Sequence, residues 1–157
     1  MKPKADIVEV VSDVHLEQVR ALLREYQAGL PEAYLFPDRE WRDLPGAYAP
    51  PGGTLLHASI ASKAAGCVGL RPFPLAGACE MKRLYVKPEY RGSGLGRDLV
   101  VAVVHRAREL GYHHMRLDSI PASMGAAVEL YRQFGFVALA PCDSAATTGL
   151  LYMELQL

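Results

Sequence analysis

The chain lacks an excess of charge of either sign. Lys and Arg total 17, Asp and Glu total 17, and the formal net charge is zero. Nucleic-acid binders usually carry a basic excess, so no nucleic-acid partner is expected. An anionic ligand stays possible, because local fields do not require a charged whole. Cysteine is scarce: Cys67, Cys79 and Cys142 make an odd count with no C-x-x-C pair. Neither a disulfide framework nor a zinc knuckle is expected, and reduced thiols in a cytosolic protein fit better. His15, His57 and His105 are isolated. The adjacent His113 and His114, read on a strand, point to opposite faces. H-E-x-x-H is absent, so no metal is expected. No apolar run is long enough to span a bilayer, and residues 1–6 lack the apolar core of a signal peptide. The expectation is one cytoplasmic domain over residues 1–157, without a membrane partner.

What is present is a strong alternation of periodic segments and breaks. Residues 7–11 read as a short strand, and Ser12 or Asp13 can cap the helix that follows. Leu16, Val19, Leu23, Tyr26 and Leu30 form its apolar row, which Gly29 and Pro31 stop. Residues 31–53 are broken by five prolines and three glycines, with a short helix expected near 38–44. Loops this long in a compact domain are often binding loops. Residues 54–61 and 66–71 read as a hairpin joined through 62–65, and residues 79–86 as a fourth strand ended by Pro88. A glycine-rich turn and a helix capped by Gly111 follow, then a strand over 112–118. A second helix runs from Pro121 to Gly135, then a short strand at 136–139 and a period-two strand at 151–157. This is a mixed α/β (α+β) sheet with flanking helices, and its strand–helix–strand unit from 79 to 118 should hold a parallel pair.

The sharpest local signal is Arg91-Gly92-Ser93-Gly94-Leu95-Gly96-Arg97, between a strand and an amphipathic helix. Backbone N–H groups at a helix start attract anions, and glycines allow close approach and positive φ. The Walker string G-x-x-x-x-G-K-[ST] is absent. The dinucleotide fingerprint fails by one position, because its third glycine would fall at Arg97. What remains is R-G-x-G-x-G, an anion-binding turn of another kind.

The stretch from Leu84 to Leu99, LYVKPEYRGSGLGRDL, resembles the acetyl-CoA signature of the GNAT superfamily of N-acyltransferases. Leu130-Tyr131-Arg132-Gln133-Phe134-Gly135-Phe136 is similar to that family's second characteristic segment. The resemblance is specific over residues 66–137 and topological outside them. It implies a GNAT-like fold: a mostly antiparallel mixed sheet whose fourth and fifth strands are parallel and splay apart. It implies acetyl-CoA as co-substrate and transfer of acetyl to a primary amine. Main-chain groups of the Leu84-Tyr85-Val86 stretch would pair with the pantetheine arm. Arg91, Gly92, Ser93, Gly94, Leu95, Gly96 and Arg97 would hold the pyrophosphate. The family often has an asparagine where this chain has Met124, beside Ser123, so that pantetheine contact would be lost or moved. A homodimer is also compatible with the family.

The chemistry needs a proton acceptor, because alkylamines are mostly cationic at neutral pH (pKa about 10.4 for lysine). Glu80 lies on the strand leading to the turn, and period two would put Glu80, Lys82, Leu84 and Val86 on one face. Two readings stand side by side: Glu80 is the base, or it pairs with Lys82 or Arg83 or faces solvent. A strand bulge could flip this parity. Tyr131 matches the family tyrosine that protonates the departing CoA thiolate, while its ring continues an apolar helical row. For the acceptor, Tyr34 and Trp41 are the candidate contacts within the 31–53 loop, though most of that loop's aromatics should simply pack on the sheet. Two rival classes remain: a non-catalytic acyl-CoA sensor of the same fold, and a nucleotide binder that would prefer ATP or NAD.

Overall fold

The computed structural model describes residues 3–139 and 150–157; the side chains of residues 33 and 121–124, Ser123 and Met124 among them, and the whole of Cys142 lie outside the described residues. Strand β1 (Ala5–Glu9) leads into helix α1 (Asp13–Ala28), whose first turn is capped by Ser12, its side chain accepting from the His15 N–H at 3.2 Å. Residues 31–53 carry helix α2 (Asp38–Asp43) between two single helical turns, at Glu32–Tyr34 and Gly46–Tyr48. Strands β2 (Thr54–Ile60), β3 (Lys63–Pro72) and β4 (Ala78–Val86) follow, then helix α3 (Leu95–Glu109) and strand β5 (His114–Ser119). Helix α4 (Pro121–Gln133), strand β6 (Val137–Ala138) and strand β7 (Leu151–Gln156) complete the described chain.

The seven strands form one sheet in the order β1-β2-β3-β4-β5-β7-β6. Each neighbouring pair is antiparallel except β4 and β5, which are parallel across the α3 crossover. The β2–β3 hairpin is tighter than the sequence suggested. Its turn is Ala61-Ser62, both at positive φ (49° and 63°), and β3 starts at Lys63. Two positive-φ residues match the twist of the flanking strands, so the tight turn wins although neither residue is glycine.

Both faces of the sheet are covered. On one, Val100, Val103 and Ala107 of α3 and Val128 and Tyr131 of α4 pack on Val68, Met81, Met115 and Leu117. On the other, Val19, Leu22 and Leu23 of α1 pack on Leu55, Cys67 and Tyr85, together with Phe36, Leu44 and Tyr48 from the 31–53 segment. Each fully buried aliphatic side chain contributes roughly 1.5–3 kcal/mol, so these two layers clamp the sheet from both sides. The clamp makes one interruption in the sheet conspicuous.

Candidate active site

The pairing of β4 with β5 is short. It covers only Ala78, Cys79 and Glu80 of β4, with Glu80 opposite Arg116. Beyond that point β4 stays paired with β3 as far as Val86, while β5 stays paired with β7 as far as Ser119. The two strands therefore part, and a cleft of about 690 Å³ opens between them. Its walls come from both faces of the sheet: Tyr26 of α1 and Leu30 just after it on one, Ala127, Leu130 and Tyr131 of α4 on the other. The cleft thus passes through the sheet.

At the α4 side the cleft meets the glycine turn. Gly92 and Gly94 have φ of +76° and +93°, a backbone state that L side chains rarely adopt, and an added Cβ at either would meet no protein atom within 4 Å. Gly94 starts α3 without a side-chain cap, so the first-turn amides point outward from a 15-residue helix. Gly92 and Gly96 line the cleft with Arg91, Leu84, Tyr85 and Val86. Ser93, Gly94, Leu95 and Arg97 complete the turn without lining that cleft: the Ser93 hydroxyl donates to the Tyr90 carbonyl at 2.5 Å, Leu95 is buried in the core, and the Arg97 guanidinium stacks over Phe134. The Arg91 Nε donates to the Val86 carbonyl at 2.9 Å, which ties the turn to the end of β4. The residues fit a phosphate-bearing cofactor: glycines that leave open space, outward amides, and an adjoining strand edge.

On the α1 side the cleft is polar. The Lys82 Nζ lies 3.1 Å from Asp118 Oδ1, bridging the parted strands. Arg83 donates to both carboxylate oxygens of Glu40, at 2.6 and 2.8 Å, and its guanidinium lies 3.6 Å from the Phe36 ring centroid. Arg83 has a φ of +62°. At that residue Arg83 and Leu84 together oppose Val68 alone, a bulge in the β3–β4 ladder. The bulge flips the alternation. Cys79 and Met81 join the α3–α4 core before it, and Leu84 and Val86 join that same core after it. Glu80 and Lys82 are thus on the opposite face from Leu84 and Val86, correcting the single-face expectation.

Glu80 itself is held by Arg71, whose Nε and second guanidinium nitrogen lie 2.9 and 2.8 Å from the same carboxylate oxygen. It is absent from the cleft wall. Tyr131 lines the cleft and is 7% exposed; burial is the main cause pushing its pKa well above the ordinary phenol value, so it stays protonated at neutral pH. Tyr34 and Trp41 do not line the cleft; Trp41 packs against Phe36 at 5.7 Å between ring centroids. The thiols of Cys67 and Cys79 are pushed up to about 12 by burial, which suits packing and not nucleophilic attack. Sequence reasoning missed Tyr26, Lys82 and Asp118 as site residues. Their periodicity marked them only as strand or helix positions, and their meeting depends on pairs far apart in the chain.

Glycine turn, crossover helix and parted parallel strands together define a mixed α/β fold with a cleft open where two strands separate. The chain belongs to the Acetyltransferase (GNAT) family, whose model matches residues 16–136. It is similar over its whole length to an uncharacterized N-acetyltransferase of Schizosaccharomyces pombe, with 35% identity and 98% of that protein covered. It is also 34% identical over 79 residues to the L-amino acid N-acyltransferase MnaT of Escherichia coli, covering 47% of this chain and 45% of that protein. Among solved structures, a GNAT-family acetyltransferase of Staphylococcus aureus superposes with a TM-score of 0.80 at 17% identity, covering 98% of this chain and 99% of that one. The PaiA N-acetyltransferase of Thermoplasma acidophilum, solved in complex with coenzyme A, superposes with a TM-score of 0.75 at 20% identity and the same coverage. These structural likenesses concern the fold.

Proposed function

We propose that the protein transfers an acetyl group directly from acetyl-CoA to a primary amine. The observation that carries this reading is the cleft through the sheet, with a glycine turn at one mouth and paired charges at the other. Two substrates can then enter from opposite faces and meet where β4 and β5 part.

In this reading the amides of Gly92, Gly94, Gly96 and their neighbours hold the pyrophosphate at the α3 N-terminus. The Leu84–Val86 edge, which β5 does not cover, takes the pantetheine arm as an added strand. A β4 backbone N–H polarises the thioester carbonyl. Tyr131, on the α4 side, gives its proton to the departing sulfur. The amine's proton leaves toward a carboxylate near the parting point, where Glu80 and Asp118 are the candidates. Likeness to a protein named an L-amino acid N-acyltransferase supports an amine acceptor, so amino acids head the acceptor screen.

Calorimetric titration with acetyl-CoA, with ATP and NAD as controls, tests the cofactor assignment, and CoA release in the presence of amines tests transfer. Saturable binding of acetyl-CoA alone, followed by amine-dependent CoA release, is the expected result. Binding without release to any amine would make the protein an acyl-CoA-binding module. Preference for ATP or NAD would sink the assignment altogether.

A further inference from the structure

We propose that Asp118, not Glu80, meets the acceptor amine and takes its proton as the new bond forms. The inference rests on the N-acetyltransferase reading and assigns its base.

The argument begins with alternation along β5. Met115 and Leu117 are buried in the core with α3 and α4, so Asp118 projects to the opposite face, toward α1. Tyr131 approaches from the α4 side, and both residues line the same cleft. An acid for the sulfur and a base for the amine therefore stand on opposite sides of the gap, as a transfer between two substrates requires. Asp118 also lies two residues beyond Arg116, the last β5 residue paired with β4. It is thus the first acidic residue past the parting point.

The other carboxylates of the neighbourhood are committed elsewhere. Glu80 is bound by Arg71 and is off the cleft wall. Glu40 is bound at both oxygens by Arg83. Glu25 does line the cleft, but it pairs with Lys87 at 3.3 Å and accepts from the Tyr85 hydroxyl, toward the glycine-turn end. Among the described residues Asp118 is bound at Oδ1 by Lys82, and Oδ2 has no hydrogen-bond partner. Its side chain is 26% exposed, and that of Lys82 is 14% exposed, so solvent reaches the pair only partly.

The step balances. The ammonium form first releases one proton to solvent at the α1-side mouth; the neutral amine's lone pair then forms the N–C bond to the thioester carbonyl carbon, and the C–S bond breaks. The nitrogen's proton passes to Asp118 Oδ2, and the thiolate takes the Tyr131 phenol proton. Solvent at the α1-side mouth then removes the proton from Asp118, and solvent returns one to Tyr131.

The test follows CoA release from acetyl-CoA, with the L-amino acids and spermidine as probe amines, in wild type, Asp118→Asn, Asp118→Glu and Glu80→Gln. The expected result is a kcat loss of about 100-fold in Asp118→Asn, the scale of a lost general base, with acetyl-CoA affinity unchanged and a cooperative thermal transition kept at a lower midpoint, because Lys82 loses its anionic partner. Asp118→Glu, which keeps a carboxylate, should recover part of that loss, and Glu80→Gln, which breaks the Arg71 pair, should lose less than Asp118→Asn; a larger loss in Glu80→Gln would overturn the inference. A wild type that turns over while Asp118→Asn keeps its rate would overturn this inference and leave the transferase reading standing. Asp118→Asn losing acetyl-CoA affinity together with turnover would also overturn it, by making Asp118 a cofactor-positioning residue. A wild type that binds acetyl-CoA and acetylates no probe would overturn the transferase reading, and this assignment with it.

Discussion

The two faces of the sheet reach the cleft with different materials. The α3–α4 face presents backbone: glycines at positive φ, helix-start amides and an uncovered strand edge. The α1–α2 face presents side-chain charges, Asp118 paired with Lys82, and Arg83, which is held from behind the cleft wall by Glu40. Backbone donors suit a constant ligand, because they need only the right turn. Paired charges suit a variable ligand, because exchanging one side chain changes what is recognised. The α3–α4 face is built from neighbours in sequence, whereas the α1–α2 face joins residues 36 and 43 positions apart.

The comparison breaks first at the Glu40–Arg83 pair. Their side chains are 15% and 13% exposed, so removing one partner strands a largely buried charge. Glu40→Gln should destabilise the protein by about 3 kcal/mol, measured by urea unfolding. The double variant Glu40→Gln/Arg83→Met should be less destabilised than the sum of the single changes. Additive losses would show that the pair does not hold α2 to the sheet.

On the opposite face, Tyr131→Phe removes only a hydroxyl from a well-packed ring. It should lower kcat by about 100-fold, or roughly 2.7 kcal/mol of barrier, and leave calorimetric acetyl-CoA affinity unchanged. An unaltered kcat would remove Tyr131 from the proton inventory. Gly94→Val places a β-branched side chain at φ +93°. The strain costs on the order of 2 kcal/mol, and acetyl-CoA affinity should fall while CoA-independent folding, followed by circular dichroism, survives. Unchanged affinity would mean that the turn is only a helix start.

The smallest effect concerns neither mouth. His57 is buried on β2, stacked on His15 at 4.8 Å between ring centroids, and neither of its ring nitrogens has a hydrogen-bond partner among the described residues. Burial lowers its pKa, His15 lowers it further, and Asp6 opposes them. The folded protein therefore keeps His57 neutral at pH values where the unfolded chain has already protonated it. The stability this contributes is fully present above the unfolded value, about 6.5, and is lost as pH falls through the lower folded value. The thermal midpoint of wild type should drop on acidification more steeply than that of His57→Phe. Parallel curves would rule this linkage out.

Much of the backbone framework was legible from the residues themselves. Gly111 and Gly135 end their helices at φ +85° and +98°, and Ser12 caps α1 as its residue type suggests. The parallel β4–β5 pair follows from strand, crossover helix and strand in series. The acceptor side was read less well. Alternation predicts faces only while the ladder is regular, and the Arg83 bulge breaks it without a glycine or proline to announce the break. Trp41 is aromatic and sits in a broken loop, yet it packs on Phe36 outside the cleft. A ring's size announces burial as readily as binding, and only the neighbours decide between them.

The sequence by itself determined most of the elements, the glycine turn before α3 and the family, because each is written in residues that are close together and constrain φ, period or capping directly. Only the tertiary structure decided which carboxylate borders the gap. That choice depends on where two strands stop pairing and which cation each acid finds across the sheet, and these distances are set by packing between segments far apart in the chain.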